Sequence, residues 1–203
     1  MDERPLNIRD EYRQCSQETL KKLQKNISMN CEILLFNIRT SGNVGMIIRS
    51  ACLMGCQRVI ICGRKHYDKR FTVGSENYIP VEYNDSPLKV IVTCKKDFKS
   101  DKVNYFFEEI YNVDEFIKVT EGRTPVFLEQ GGESINEINW KSINNPLIIF
   151  GNESMGIPKD FISKVKNKIP ETKTVSIPQW SIMRSLNVAM AASIVLWEIR
   201  KSN

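Results

Sequence analysis

The side chains of this chain whose setting invites chemistry are an arginine, a glutamate, two asparagines and a serine. Arg49 stands in SGNVGMIIRS (41–50), between Met46, Ile47 and Ile48 on one side and Ala51 and Leu53 on the other. Burying a guanidinium without a partner is costly. The pattern therefore predicts either an ion pair, for which Glu153 is a suitable carboxylate, or contact with an anionic ligand. Glu153 lies in PLIIFGNESMGIP (146–158), a strand-like run that stops at Gly151 and loops through Gly156 to Pro158. Gly151 lets a ligand approach backbone, and Gly156 permits a positive φ. VSIPQ (175–179) is a β-branched strand stopped by Pro178, which has no amide hydrogen. RSLNVAMAASIVLWEIR (184–200) opens on Ser185, read as the cap of a long apolar helix with Asn187 close behind. Strand, glycine loop, strand, proline loop and capped helix together form the layout of a ligand crevice at the carboxyl ends of parallel strands. Taken singly, each also has a plain structural reading as a turn or a cap.

The elements that must position these residues are legible in outline. Glu32 to Asn37 is apolar at strand length, and Ser41-Gly42-Asn43 reads as a turn and helix N-cap. Val44 to Met54 reads as a helix closed by Gly55, and Arg58 to Cys62 as a second buried strand stopped by Gly63. Strand, helix and strand with short connections predict a parallel sheet with a right-handed crossover. Residues 64–87 read as loop-rich, with RKHYDKR basic. From Lys89 to Glu121 the expectation is helix, since VNYFFEEIYNVDEFIKV is apolar at roughly helical spacing, while KVIVTC suits either a strand or a helix start. Arg123 to Glu129 reads as a strand ended by Gly131-Gly132. Along the last helix, Leu186, Ala189, Met190, Ser193, Leu196 and Trp197 fall on helical spacings and predict core or subunit interface. Residues 1–30 are polar, with a helix at 18–26, and read as an extension preceding one α/β domain over 31–203.

Composition narrows the class. With 41% hydrophobic and 26% charged residues, 203 residues suffice for one domain with a full core. The net charge of +5 is compatible with a polyanionic partner without requiring one. The six cysteines form no CxxC and the single histidine, His66, stands apart from them, so no metal site is expected. Cys31, Cys52 and Cys62 sit in apolar runs, as free thiols of a cytoplasmic protein would. No apolar run nears the ~20 residues needed to cross a membrane. Neither GxGxxG nor GxxxxGK[ST] occurs, which argues against a dinucleotide fingerprint or a P-loop.

Taken together the motifs resemble a known family. Asn43-Val44-Gly45 with Arg49, Phe150-Gly151-Asn152-Glu153 with Gly156-Ile157-Pro158, and Ile177-Pro178-Gln179 with Ser185-Leu186-Asn187-Val188 are similar to the three motifs of the SpoU-type (TrmH-like) RNA ribose methyltransferases, in the family's order. IPQ followed by RSLNV and a helix ending LWE looks most like the eukaryotic-type enzymes that methylate a guanosine ribose in the tRNA D-loop. The resemblance implies a parallel α/β fold whose C-terminal segment threads a trefoil knot, the SPOUT architecture. It implies S-adenosylmethionine held by Leu128, Glu129, Gly151, Asn152, Gly156, Ile177, Pro178 and Leu186, and a homodimer with the site at the subunit interface. Ser181 stands where many members have glycine, and Trp180 is an unusual neighbour.

For such a reaction the protein must align oxygen, methyl carbon and sulfur and stabilise charge developing on a ribose oxygen. Arg49 is the residue expected to ease deprotonation of the 2′-hydroxyl and hold the adjacent phosphate, since its forked donors suit both. Glu153 is expected to orient Arg49 or a substrate group, Asn43 to position ribose or phosphate, and Ser185 and Asn187 to complete the catalytic set. Arg64, Lys65, Lys69 and Arg70 are the candidates for RNA backbone contact. Residues 88–123 exceed what the resemblance calls for. Competing readings are a knotted RNA-binding protein without turnover and a base-directed knotted methyltransferase.

Overall fold

The computed structural model describes residues 7–96 and 103–202, with the side chains of 93–107 left aside. The expectations for residues 1–6 and 97–102, and for the Cys94 side chain, lie outside the described residues. Six strands form one wholly parallel sheet: β1 (Glu32–Phe36), β2 (Val59–Cys62), β3 (Val81–Tyr83), β6 (Thr124–Ser134), β7 (Pro146–Phe150) and β8 (Lys173–Ser176), in the order β3-β2-β1-β7-β6-β8. β1, β2 and β7 are buried at every residue, as central parallel strands covered on both faces must be, which is why they read as unbroken apolar runs.

Helices cover the two faces. On one lie α2 (Ser41–Met54) and α6 (Val188–Ser202), packed through Val44, Ile47, Ile48 and Ala51 against Ala192, Val195, Leu196 and Ile199 over Ile33, Leu35, Ile148 and Phe150. On the other lie α4 (Val113–Val119) and α5 (Lys159–Lys168), where Phe116, Phe161, Ile162 and Val165 pack on Leu34, Phe36, Phe127 and Ile149. α1 (Gln17–Asn26), capped by Ser16, buries Leu20 and ties to α2 through Gln24 Nε2 to the Cys52 carbonyl at 2.8 Å. α2 ends at Gly55 in the left-handed region (φ 80°), as read from sequence. Cys31, Cys52 and Cys62 are buried free thiols, and burial pushes Cys52 up to about 11 and Cys62 to about 12.

Three elements differ from expectation. The helix expected over 89–121 is replaced in its first part by an antiparallel hairpin, β4 (Leu88–Lys96) with β5 (Val103–Tyr111), separate from the main sheet; only α4 is helical. The hairpin is anchored at its base, where buried Leu88 pairs with Tyr111 and the Tyr111 ring meets Phe36 at 5.2 Å and Phe161 at 5.0 Å. β6 does not stop at Gly131-Gly132. It skips register between Leu128 and Glu133 and goes on, because a Cβ on Gly132 would lie 2.7 Å from the backbone of Thr174 and Val175. Finally, Ser41, Gly42 and Asn43 belong to α2 rather than to a turn before it. Gly45 on that helix gives room to the segment of α3 (Lys69–Thr72), since a Cβ there would stand 2.7 Å from the Asp68 carbonyl oxygen.

Candidate functional site

The carboxyl ends of β1, β7, β6 and β8 lie side by side, so the loops that follow them share one edge of the sheet. Register sets the order: Leu35 pairs with Phe150, Phe150 with Leu128, and Leu128 with Val175. Gly151, Glu129 and Ile177 therefore emerge next to one another, although their sequence separations give no hint of it.

Glu153, in the loop after β7, reaches across to the start of α2. Its Oε2 accepts the Arg39 N–H at 2.8 Å; its Oε1 accepts the Thr40 N–H at 3.1 Å and Asn43 Nδ2 at 2.9 Å. Thr40, the N-cap of α2, makes no side-chain cap bond, so the cap is supplied by a carboxylate 113 residues away. Partial burial acts to raise the Glu153 pKa, but these donors outweigh it and hold the carboxyl below its ordinary range. Asn43 is buried, and its Oδ1 accepts Asn187 Nδ2 at 3.0 Å. Asn187 in turn caps α6, its Oδ1 taking the Ala189 N–H at 2.8 Å and the Met190 N–H at 3.4 Å. One hydrogen-bonded chain, Glu153–Asn43–Asn187, thus joins two loops and the first turn of α2, all distant in sequence, at the point where two helices begin.

Two residues of the expected catalytic set stand elsewhere. Ser185 is exposed and precedes α6, which begins at Val188; the capping role falls to Asn187 because its side chain sits directly before the first helical residue. Arg49 is exposed, not buried, and makes no hydrogen bond or ion pair to Glu153. At 100° per residue it projects beside Leu53, away from Val44, Ile48 and Ala51. The apolar neighbours that suggested burial belong in part to an uncovered face: Leu53 is 72% exposed, and on adjacent α6 so are Met190 (60%) and Trp197 (57%). Ser50 and Ser193 join the two helices at 2.8 Å beneath it.

The glycines of the β7 loop make room for the loop's own backbone and for Glu129. A Cβ on Gly151 would fall 2.5 Å from the Gly156 carbonyl carbon and 2.6 Å from Ile157 Cγ1, so it is the loop's own backbone that needs the room. Gly156 has φ 64°, and a Cβ on it would meet Glu129 Oε1 at 2.9 Å. Glu129 Oε1 accepts the Ile157 N–H at 2.6 Å, while burial raises the Glu129 pKa. Leu128, Ile177 and Pro178 are half-buried at the same edge of the sheet. Leu186 is exposed at the end of a loop that also exposes Trp180, Ile182 and Met183. That loop is held by Gln130 Nε2 donating to the Arg184 carbonyl.

A second polar cluster was not anticipated. Asn152, buried, donates through Nδ2 to the Asn37 carbonyl at 2.9 Å and to Glu109 Oε1 at 3.3 Å. Asn37, in the left-handed region at φ 44°, donates to the same oxygen at 2.6 Å, and the Tyr111 hydroxyl to Glu109 Oε2 at 2.7 Å. Burial, followed by Glu109, raises the Tyr111 pKa. The only local signal was an asparagine close behind each of two buried strands, one residue after β1 and two after β7.

Of the four cations expected to face RNA, all are exposed, but two are engaged with acids. Arg70 forks onto Asp68, and Lys65 lies 2.9 Å from Asp85. Arg64 Nη1 donates to the Arg39 carbonyl at 3.1 Å, and Lys69 opens α3. Among the described residues no cluster of His, Cys, Asp and Glu is suited to hold a metal ion. No helix among them is long and apolar enough to cross a membrane.

The chain is similar in sequence and in fold to known proteins. Residues 30–197 match the model of the SpoU rRNA Methylase family. The tRNA (guanosine(18)-2'-O)-methyltransferase TARBP1 of Mus musculus is 26% identical over 187 residues, 90% of this chain and 10% of that protein. Among solved structures, the A. aeolicus TrmH/SpoU tRNA modifying enzyme superimposes with a TM-score of 0.67 at 18% identity, covering 92% of this chain and 81% of that one. The SpoU methyltransferase AviRb of Streptomyces viridochromogenes, solved with AdoMet, gives 0.60 at 23% identity, covering 84% of this chain and 56% of that one. The chain thus spans a tenth of its mouse relative and about half of AviRb.

Proposed function

The chain belongs to the SpoU rRNA methylase family, and we propose that it methylates a ribose 2′-hydroxyl of RNA with S-adenosylmethionine as donor. The observation that carries this reading is the Glu153–Asn43–Asn187 chain, which draws three family motifs into one polar site at the edge of the sheet. A tRNA guanosine of the D-loop is the preferred target, in keeping with the activity named for the mouse relative.

The residues present fit the donor. Half-buried Leu128, Ile177 and Pro178 offer an apolar lining beside backbone amides and carbonyls, and Glu129 adds a carboxylate. Gly151, Asn152 and Gly156 shape the same wall, and Leu186 lies on the loop that would close over it. S-adenosylmethionine supplies an electrophilic methyl group on a sulfonium, so the protein has no leaving group to activate. Its task is to orient the ribose oxygen and stabilise the charge that develops there as the hydroxyl proton passes to water. Asn43 and Asn187 hold the ribose edge in this reading, and Glu153 fixes both by anchoring Asn43. Arg49 stabilises the oxyanion and the neighbouring phosphate, and Ser185 contacts the substrate from the loop before α6.

Arg49 lies on the open α2–α6 face, where Leu53, Met190 and Trp197 are exposed. We read that face as a homodimer interface, which sets the guanidinium at the subunit boundary. The trefoil knot of the family is part of the same reading, with the C-terminal segment as the threaded piece. So are the division into an extension over 1–30 and a methyltransferase domain over 31–203, and a cytoplasmic setting, to which the free buried thiols are suited. Arg64, Lys65, Lys69 and Arg70 then face the RNA backbone.

The test is incubation with labelled S-adenosylmethionine and total tRNA and rRNA, followed by mass mapping of ribose methylation. Label in a tRNA ribose is the expected result. Label in a base, or none in any RNA, rejects the proposal.

A further inference from the structure

We infer that the β4–β5 hairpin and the ends of β1 and β2 form a separate subsite for the RNA nucleotide that flanks the methylated one. The inference rests on the RNA methyltransferase reading above. Its basis is a cavity of about 200 Å³ lined by Asn37, Arg39, Gly63, Arg64, Val90 and Val92.

The hairpin supplies one wall by its pleat. Leu88, Val90 and Val92 alternate onto one face of β4, and the cross-strand partners of the first two, Tyr111 and Glu109, share that face. Along it the character changes in steps. Leu88 is buried in the core, Val90 is half-buried, and Val92 is exposed. Val90 packs against the core and Val92 stands beyond it at the mouth of the cavity, a branched apolar edge that offers a shelf to a flat apolar surface such as a nucleobase.

The opposite wall is cationic. Arg64 uses one N–H on the Arg39 carbonyl, which fixes the guanidinium at the mouth, and the remaining donors of its fork suit a phosphate. The floor is rigid. Asn37 is held in its left-handed conformation by Glu109, and Gly63 sits against it: a Cβ there would lie 3.1 Å from Asn37 Cβ.

Position makes the flanking nucleotide the occupant. Arg39 lines the cavity, and its own N–H is bound by Glu153, so one residue separates the cavity from the Glu153–Asn43–Asn187 chain. Glu109 strengthens the link, since its carboxylate grips both Asn37 at the cavity floor and Asn152 next to Glu153. A strand of RNA with one ribose at Asn43 has its next phosphate and base within reach of this cavity. That gives the hairpin a task in substrate recognition.

Val92→Asp and Arg64→Ala test the inference with the full-length protein and a tRNA that the wild type methylates. Val92→Asp should raise KM for tRNA about tenfold by removing the apolar shelf. Arg64→Ala should weaken tRNA binding and lower the slope of log affinity against log salt by about one. Both should leave the melting temperature and S-adenosylmethionine binding near wild type. If both variants bind and methylate tRNA as the wild type does, the subsite is refuted while the methylation reading stands. A wild-type protein that methylates no RNA overturns both.

Discussion

Asn187 Nδ2 donates to Asn43 Oδ1 at 3.0 Å across 144 residues of sequence, while its own Oδ1 caps α6. One side chain thus has a structural task and a site task that substitution can separate. Asn187→Asp retains a good capping oxygen but loses the donor to Asn43 and places a second negative charge near Glu153. Its stability should stay near wild type and its methylation rate should fall steeply. Asn187→Ala should lose the cap as well, at about 1 kcal/mol. Equal melting-point losses for the two variants would contradict this division of roles.

The two carboxylates of the site should titrate with opposite effects on stability. The Glu153 pKa is depressed in the fold, so its stabilising effect is complete above its unfolded value of about 4 and is lost as pH falls through the folded value. Burial raises the Glu129 pKa, so ionising it costs stability as pH rises from the unfolded value through the folded one. Chemical denaturation from pH 3 to pH 7 of wild type, Glu153→Gln and Glu129→Gln reads both; these pH limits bracket roughly the carboxylate range. The deficit of Glu153→Gln should be full at the upper end and shrink toward the lower. Relative to wild type, Glu129→Gln should gain as pH rises, less whatever its bond to Ile157 is worth.

How much of this was legible depends on the kind of information each feature needs. β1, β2 and β7 could be read directly because central parallel strands bury every residue and leave unbroken apolar runs. The hairpin could not. VNYFFEEIY carries apolar residues at spacings that serve a helix or a strand, and its state is decided by pairing with KVIVTC, not by local preference. Arg49 was misread because a helix apolar on all sides looks buried, whereas α2 leaves Leu53 and Arg49 on an uncovered face. Asn43, Glu153 and Asn187 were picked out individually, but a hydrogen bond spanning 110 residues has no local trace. Glu109 was missed for the same reason, since its partners Asn37 and Asn152 lie on other strands' loops.

The open α2–α6 face predicts the assembly. Leu53→Asp or Trp197→Asp places a charge where a second copy would bury an apolar side chain. Either should turn the proposed dimer into a monomer without lowering the melting temperature of the monomeric fold, since both side chains are exposed in the single chain. Light scattering at micromolar concentration measures the mass. A wild-type protein that is monomeric and fully active would remove the dimer from the proposal.

Arg49 gives the sharpest test of catalysis. An ion pair with Glu153 would make its removal destabilising, but Glu153 is instead satisfied by Arg39, Thr40 and Asn43, and Arg49 is exposed. Arg49→Ala should therefore melt as the wild type does and bind S-adenosylmethionine normally. If the guanidinium stabilises charge on the 2′-oxygen, single-turnover methylation should fall about a hundred- to thousandfold, a loss of ~3–4 kcal/mol in the transition state. Arg49→Lys should recover only part of this, because an ammonium lacks the fork that holds oxygen and phosphate together. Glu153→Gln separates the two residues further. Its site loses the charge that anchors Asn43, so it should lose stability and activity together, whereas Arg49→Ala loses activity alone. An Arg49→Ala protein that methylates RNA at the wild-type rate would end the assignment of this residue to the reaction.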